Sequence, residues 1–188
     1  MGTFASNPRF VAFIAFVLAH ETEHNRDGSV RTERDADDPG GTTKYGIDQR
    51  SHPRVDIAAL TEEAAKEIYF AEWTKAPCDE LPCPLGEMTF DVFVNGGPAV
   101  KWIQEALNNV HAAGLKVDGF CGPKTLRAAC DAAWNSDRLR EVAAVLYQLR
   151  QARYERLAEE RPKMKKYLKG WSNRSRNLRD WAFARIAA

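Results

Sequence analysis

Residues 20 to 24 read His-Glu-Thr-Glu-His, two imidazoles one helical turn apart around a glutamate. On a helix, that spacing lets both rings share a zinc ion, with Glu21 as the general base that takes a proton from metal-bound water. The chemistry needs a helix that continues through His24 and a third ligand. Asn25-Arg26-Asp27-Gly28 follows at once and reads as a helix stop. The longer H-E-x-x-H-x-x-G-x-x-H pattern also fails, because Asp27 stands at its glycine and Val30 at its last histidine. His52 and His111 lie in no ligand-like setting, which leaves only a downstream carboxylate to complete a site. A zinc metallopeptidase is therefore the alternative reading of this stretch, and no metal or other cofactor is expected.

Taken without the histidines, Glu21 has another chemistry open to it. Phe10, Phe13, Ile14, Val17 and Leu18 recur at i, i+3, i+4, i+7 and i+8, and Glu21 occupies i+11 of the same stripe. A carboxyl on the apolar face at a helix end is partly desolvated, which favours its neutral form and raises its pKa. Such an acid can donate to a glycosidic oxygen near neutral pH. A helix-end glutamate in solvent fits the spacing equally well.

The elements that must position Glu21 are legible around it. Asn7 is a helix N-cap and Pro8 a first helical residue, so the first helix is expected over 8–24. Its apolar run, Phe10 to Ala19, is about half a membrane span. With only Arg9 before it, the run reads as an amphipathic core helix and not as a targeting segment, and no stable membrane insertion is expected. Residues 25–41 are polar and charged, a loop or hairpin with Asp27-Gly28 as its turn. A short extended stretch follows at 42–47. Thr61 caps a helix through Trp73, and Asn95-Gly96-Gly97-Pro98 stops the next one. Helices are then expected over 99–110, 123–134 and 136–160, with two short basic helices divided at Gly170. The fold class is α+β, predominantly helical. The four cysteines, at 78, 83, 121 and 130, are spaced as ordinary buried thiols. From Arg161 onward there are nine Lys or Arg against one Asp, whereas the first 160 residues hold 18 basic and 25 acidic side chains. That basic end is either a solvated helix face or a surface for an anionic polymer. Nucleic acid is not expected, since no recognition motif accompanies the charge.

Residues 38–47, Asp-Pro-Gly-Gly-Thr-Thr-Lys-Tyr-Gly-Ile, are similar to the D-P-G-G-x-T-x-x-G-I signature of glycoside hydrolase family 108, N-acetylmuramidases of phage and bacteria. In that family a helix ends in a catalytic glutamate shortly before the signature. Leu18-Ala19-His20-Glu21 matches this lead-in, although Thr22-Glu23 replaces the usual two glycines and the gap to Asp38 is about eight residues longer. Ile68 to Trp73, then Asp91 and Val94 to Pro98, resemble two further family segments. Trp102-Ile103-Gln104, Leu107, Val117 to Leu126 and Gly170 to Arg174 resemble its appended peptidoglycan-binding-like lobe.

The resemblance implies a lysozyme-like fold with a small β-hairpin after the first helix. It also implies a catalytic lobe over 1–97, a helical lobe over 98–188 packed on it, and a monomer. The activity implied is hydrolysis of the β-1,4 bond between N-acetylmuramic acid and N-acetylglucosamine. Glu21 would be the acid, with Thr43 and one hairpin aspartate assisting: Asp38 first, with Asp35 and Asp37 close by. Tyr45, Asp91 and Asn95 would line the glycan cleft, though Tyr45 reads equally as a packing aromatic. Val117 to Leu126 reads first as a tight connection between helices and second as a peptidoglycan contact. Inversion or retention depends on the carboxylate separation, which sequence does not give. The expected role is a phage endolysin, made in the host cytoplasm and acting on the wall after release, with peptidoglycan and anionic envelope polymers as partners. A non-catalytic wall-binding protein is the remaining alternative.

Overall fold

Asn7 and Pro8 open α1 (Pro8–Glu21) as their types require. The Asn7 side chain accepts from the Phe10 N–H at 3.0 Å, and Pro8 takes a position where no amide donor is needed. The computed structural model describes residues 3–27, 29–34 and 41–186. Within α1, Phe10, Phe13 and Val17 are fully buried. The Phe10 ring meets Phe70 at 5.1 Å and Trp73 at 5.7 Å, both on α2 (Glu62–Trp73). Thr61 caps α2, its hydroxyl accepting from the Ala64 N–H at 3.2 Å. The buried stripe of α2 is Ala65, Tyr69 and Trp73, four residues apart each time.

The first helix ends at Glu21, three residues short of the expected end. Thr22 turns extended while its N–H still reaches the Leu18 carbonyl at 2.9 Å. The chain is then drawn into a hairpin that competes with further helix. His24 pairs with Val30 in an antiparallel bridge, the Arg31 N–H donates to the Glu23 carbonyl at 2.7 Å, and Asp27 Oδ1 accepts from the Ser29 N–H at 2.9 Å. A three-stranded antiparallel sheet follows, ordered β1 (Glu33–Arg34), β2 (Thr42–Lys44), β3 (Ile47–Asp48). The β2–β3 pairing puts Lys44 opposite Ile47, leaving Tyr45-Gly46 as a two-residue turn.

Residues cluster into two compact units that divide between Lys75 and Ala76. The second unit holds α3 (Leu85–Val94), α4 (Ala99–His111), α5 (Pro123–Ala133), α6 (Ser136–Glu160), a 3-10 helix (Pro162–Tyr167) and α7 (Leu168–Phe183). Asn135 caps α6 by accepting from the Arg138 N–H at 2.8 Å. The expected break at Gly170 is absent, and α7 runs straight through it. The expectation of four buried thiols is also corrected. Cys78 is buried and Cys121 half-buried, but Cys130 is exposed, as α5 buries Thr125, Ala128, Ala129 and Ala132 instead, and Cys83 is exposed in the Pro82–Pro84 link. Burial, aided by Glu80, pushes the Cys121 thiol up to about 11. No helix of the described residues is long and apolar enough to cross a membrane.

Candidate active site

Glu21 is the last residue of α1, half-buried at the point where the chain leaves the helix. The Tyr45-Gly46 turn lies against it. Both turn residues have positive φ, +54° and +74°, the type I′ geometry that matches the twist of the flanking strands. A Cβ added to Gly46 would fall 2.7 Å from Glu21 Oε2 and 2.8 Å from Glu21 Cβ. Only bare backbone fits beside this carboxyl, so the glycine serves a close approach as well as a turn.

The turn is held from the other side by α2. The Tyr69 hydroxyl, on a side chain 6% exposed, donates to the Tyr45 carbonyl at 2.9 Å and would stand 2.8 Å from the same added Cβ. Three elements therefore meet at one point: the end of α1, the β2–β3 turn and the buried stripe of α2. Tyr45 is itself 8% exposed, and a non-glycine residue at φ +54° costs about 1–2 kcal/mol. Its burial and its carbonyl bond to Tyr69 offset that strain. Burial also raises the Tyr45 phenol above its ordinary value, and Glu62 and Glu63 add to the effect.

Thr43 sits in the central strand, opposite Glu33 of β1 and Asp48 of β3, and is half-buried. Asp38 lies outside the described residues, as do Asp35 and Asp37. Asp48 is a described carboxylate beside Thr43, and it is engaged locally. Burial alone would raise its pKa, but bonds from the Ser51 N–H and hydroxyl outweigh that and hold it low.

Asp91 and Asn95 belong to the second unit. Asp91 is 0% exposed, and its carboxylate is filled by two arginines. Arg150 Nη1 donates to Oδ2 at 2.5 Å, while Arg174 donates to Oδ1 from Nη2 at 2.7 Å and from Nε at 3.1 Å. Burial would raise the Asp91 pKa, but Arg174 and Arg150 reverse the sign and lower it. The carboxylate ties α3 to α6 and α7 and presents nothing to solvent, which is a structural role and not that of a glycan contact. Asn95 is exposed at the end of α3 and donates to the Asp91 carbonyl at 2.7 Å.

The zinc geometry is not present among the described residues. His20 Nδ1 lies 2.8 Å from the Phe16 carbonyl within α1, whereas His24 lies beyond the helix in its bridge to Val30. No group of three His, Cys, Asp or Glu among the described residues could hold a metal ion. An apolar pocket of about 360 Å³ runs along a neighbouring stripe of α1, lined by Val11, Ile14, Ala15 and Leu18 together with Tyr45 and His24. Glu21 does not line it. Tyr69 is the residue that sequence reasoning did not place at the site. Its signal was a phenol on a buried helical stripe, since a buried tyrosine hydroxyl needs a partner.

Residues 14–97 match the family profile Glycosyl hydrolase 108, and residues 98–176 match the Predicted Peptidoglycan domain. The fold is similar to that of Brucella abortus SagA, with a TM-score of 0.72 and 26% identity over 96% of this chain and 97% of that one. No curated protein matches the chain. These likenesses define the class: a glycoside hydrolase of lysozyme-like fold whose ligand is peptidoglycan. More particularly, the chain is a peptidoglycan hydrolase built from a glycosyl hydrolase family 108 domain followed by a peptidoglycan domain. Neither the zinc peptidase nor the non-catalytic wall-binding reading is favoured by these matches.

Proposed function

We propose that the bond cleaved is the β-1,4 linkage between N-acetylmuramic acid and N-acetylglucosamine, with Glu21 as general acid. One observation carries this reading: the Glu21 carboxyl ends α1 against the bare Gly46 backbone of a turn that Tyr69 anchors from behind. Glu21 protonates the leaving glycosidic oxygen as the bond to C1 breaks, and water supplies the hydroxyl of the new reducing end. Thr43 and one carboxylate of the segment before β2, Asp38 first, position that water or face the positive charge on the sugar. Tyr45 supports the site by fixing the turn. The role is that of a phage endolysin released onto the wall, with the functional boundary between residues 97 and 98, where the two family profiles meet. The exposed Lys163, Lys165, Lys166 and Lys169 then draw the enzyme toward anionic envelope polymers.

The test is mass spectrometry of fragments released from purified peptidoglycan. Reducing-end muramic acid is the expected product. Reducing-end N-acetylglucosamine would move the cut to the other linkage, and cut peptides would restore a peptidase.

A further inference from the structure

The connection between α4 and α5 carries an aromatic side chain in an unexpected place. Phe120 is 72% exposed. Its ring lies on the backbone of Gly122, where an added Cβ would meet the ring at 2.9 Å and 3.1 Å. One part of the ring thus rests on bare backbone and the rest faces water, a placement that the hydrophobic effect opposes. The loop beneath is firmly built. Gln104, 2% exposed, donates from Nε2 to Asp118 Oδ1 at 2.9 Å and to the Phe120 carbonyl at 3.0 Å, while its Oε1 accepts from the Gly119 N–H at 2.9 Å. Gly119 holds φ +84°. The expected structural role of this segment is therefore fulfilled by Gln104, and it leaves the Phe120 ring unexplained.

That ring lines a groove of about 420 Å³ with Lys116 and Lys124. Leu115 and Lys124 also line a second groove, of about 340 Å³, that includes Arg127. Lys116, Lys124 and Arg127 are all exposed. Two carboxylates share the grooves: Asp131, and Asp118, which Gln104, the Phe120 N–H and Lys116 hold in its charged form, so three cations face two anions. The surface carries an excess of one positive charge, with Lys124 and Arg127 exposed beside one apolar platform.

We propose that this groove seats the peptide stem of peptidoglycan, its free carboxylates on Lys116, Lys124 and Arg127, with Phe120 against the apolar face of the attached amino sugar. The inference rests on peptidoglycan as the ligand and deepens that reading. Charge complementarity selects the stem, because the N-acetylated sugars of the glycan are neutral and the negative charge of the polymer lies on its peptides. A preformed platform loses little conformational freedom on binding, which suits capture of a repeated, flexible ligand.

The test is calorimetric titration of the full chain with a disaccharide-tetrapeptide, which lacks the bond assigned to the active site, and with chitotetraose, which has the same kind of sugar and no stem. The disaccharide-tetrapeptide should bind, more weakly as salt rises, and chitotetraose at least tenfold more weakly. Lys124→Glu, Arg127→Glu and Phe120→Ala should each lower affinity for the stem-bearing ligand about tenfold or more, with melting temperatures unchanged. Equal binding of both ligands, or no effect of either charge reversal in a folded protein, would overturn the assignment. A chain that still releases reducing-end muramic acid while these variants bind normally would lose the groove alone. Loss of muropeptide affinity in the variants, with no such product from the wild type, would leave the groove standing and remove the muramidase reading.

Discussion

Glu21→Gln keeps the size and hydrogen-bonding capacity of the side chain but has no carboxylic proton to give. Muramidase rate should fall about 100- to 10,000-fold, the usual contribution of general acid catalysis. His20→Ala and His24→Ala should cost far less, since one ring meets a helical carbonyl and the other lies beyond the helix. A folded histidine variant as inactive as Glu21→Gln would revive the metal reading. Gly46→Ala tests the same carboxyl from the side of the turn. Its methyl would enter the space of Glu21 Oε2 at a φ that costs alanine about 1–2 kcal/mol. Displacement of the acid by about 1 Å should reduce kcat/KM on purified sacculi about 100-fold, with a modest fall in melting temperature. An unchanged rate would mean that the turn does not position the acid. Glu21 was legible in sequence because it continues an apolar stripe. Asp91 was not, because its two arginines lie 59 and 83 residues away and no local pattern announces them. Tyr69 was visible only as a buried phenol in search of an acceptor.

Helix starts were more legible than helix ends. Asn7 and Thr61 cap the helices they were expected to cap, because an N-cap is a short-range bond between a side chain and an amide three residues on. The end of α1 was set by a hairpin pairing Glu23 with Arg31, a partnership across eight residues that propensity alone does not weigh. Gly170 was expected to divide two helices, yet it is exposed and helical inside α7, with nothing within 4 Å of an added Cβ. Gly170→Ala should therefore stabilise the protein by about 0.5–1 kcal/mol, read as a higher urea midpoint at an unchanged slope. Destabilisation would show that α7 needs flexibility there. The 3-10 helix before it carries exposed Lys163, Lys165 and Lys166, and Lys169 follows in the first turn of α7. Charge reversal at Lys163, Lys165, Lys166 and Lys169 should weaken sedimentation with sacculi at low salt while cleavage of a short soluble glycan barely changes. Equal losses on both substrates would assign these lysines to the fold.

Across the whole molecule, the Asp91 cluster has the largest leverage on stability. Asp91→Ala strands two buried guanidinium groups and should cost about 3–5 kcal/mol, measured by urea unfolding. Its acid dependence has a definite sign. The folded-state pKa of Asp91 is lowered, so its contribution is fully present above about pH 4, where a free aspartate ionises. The contribution is lost as pH falls below that value toward the folded one. An acid titration of the Asp91→Ala variant should lack this part of the slope, and an identical slope would place the acid sensitivity elsewhere. The same cluster also bears on synthesis. Arg174 follows Asp91 by 83 residues, which a ribosome adds in about 4 to 17 s. Until then α3 cannot bury its carboxylate with both partners, so the nascent second unit must stay open to water until α7 emerges. A message broken before codon 174 yields a chain that holds a charge it cannot shelter, and such a chain is exposed to proteases for as long as it lasts.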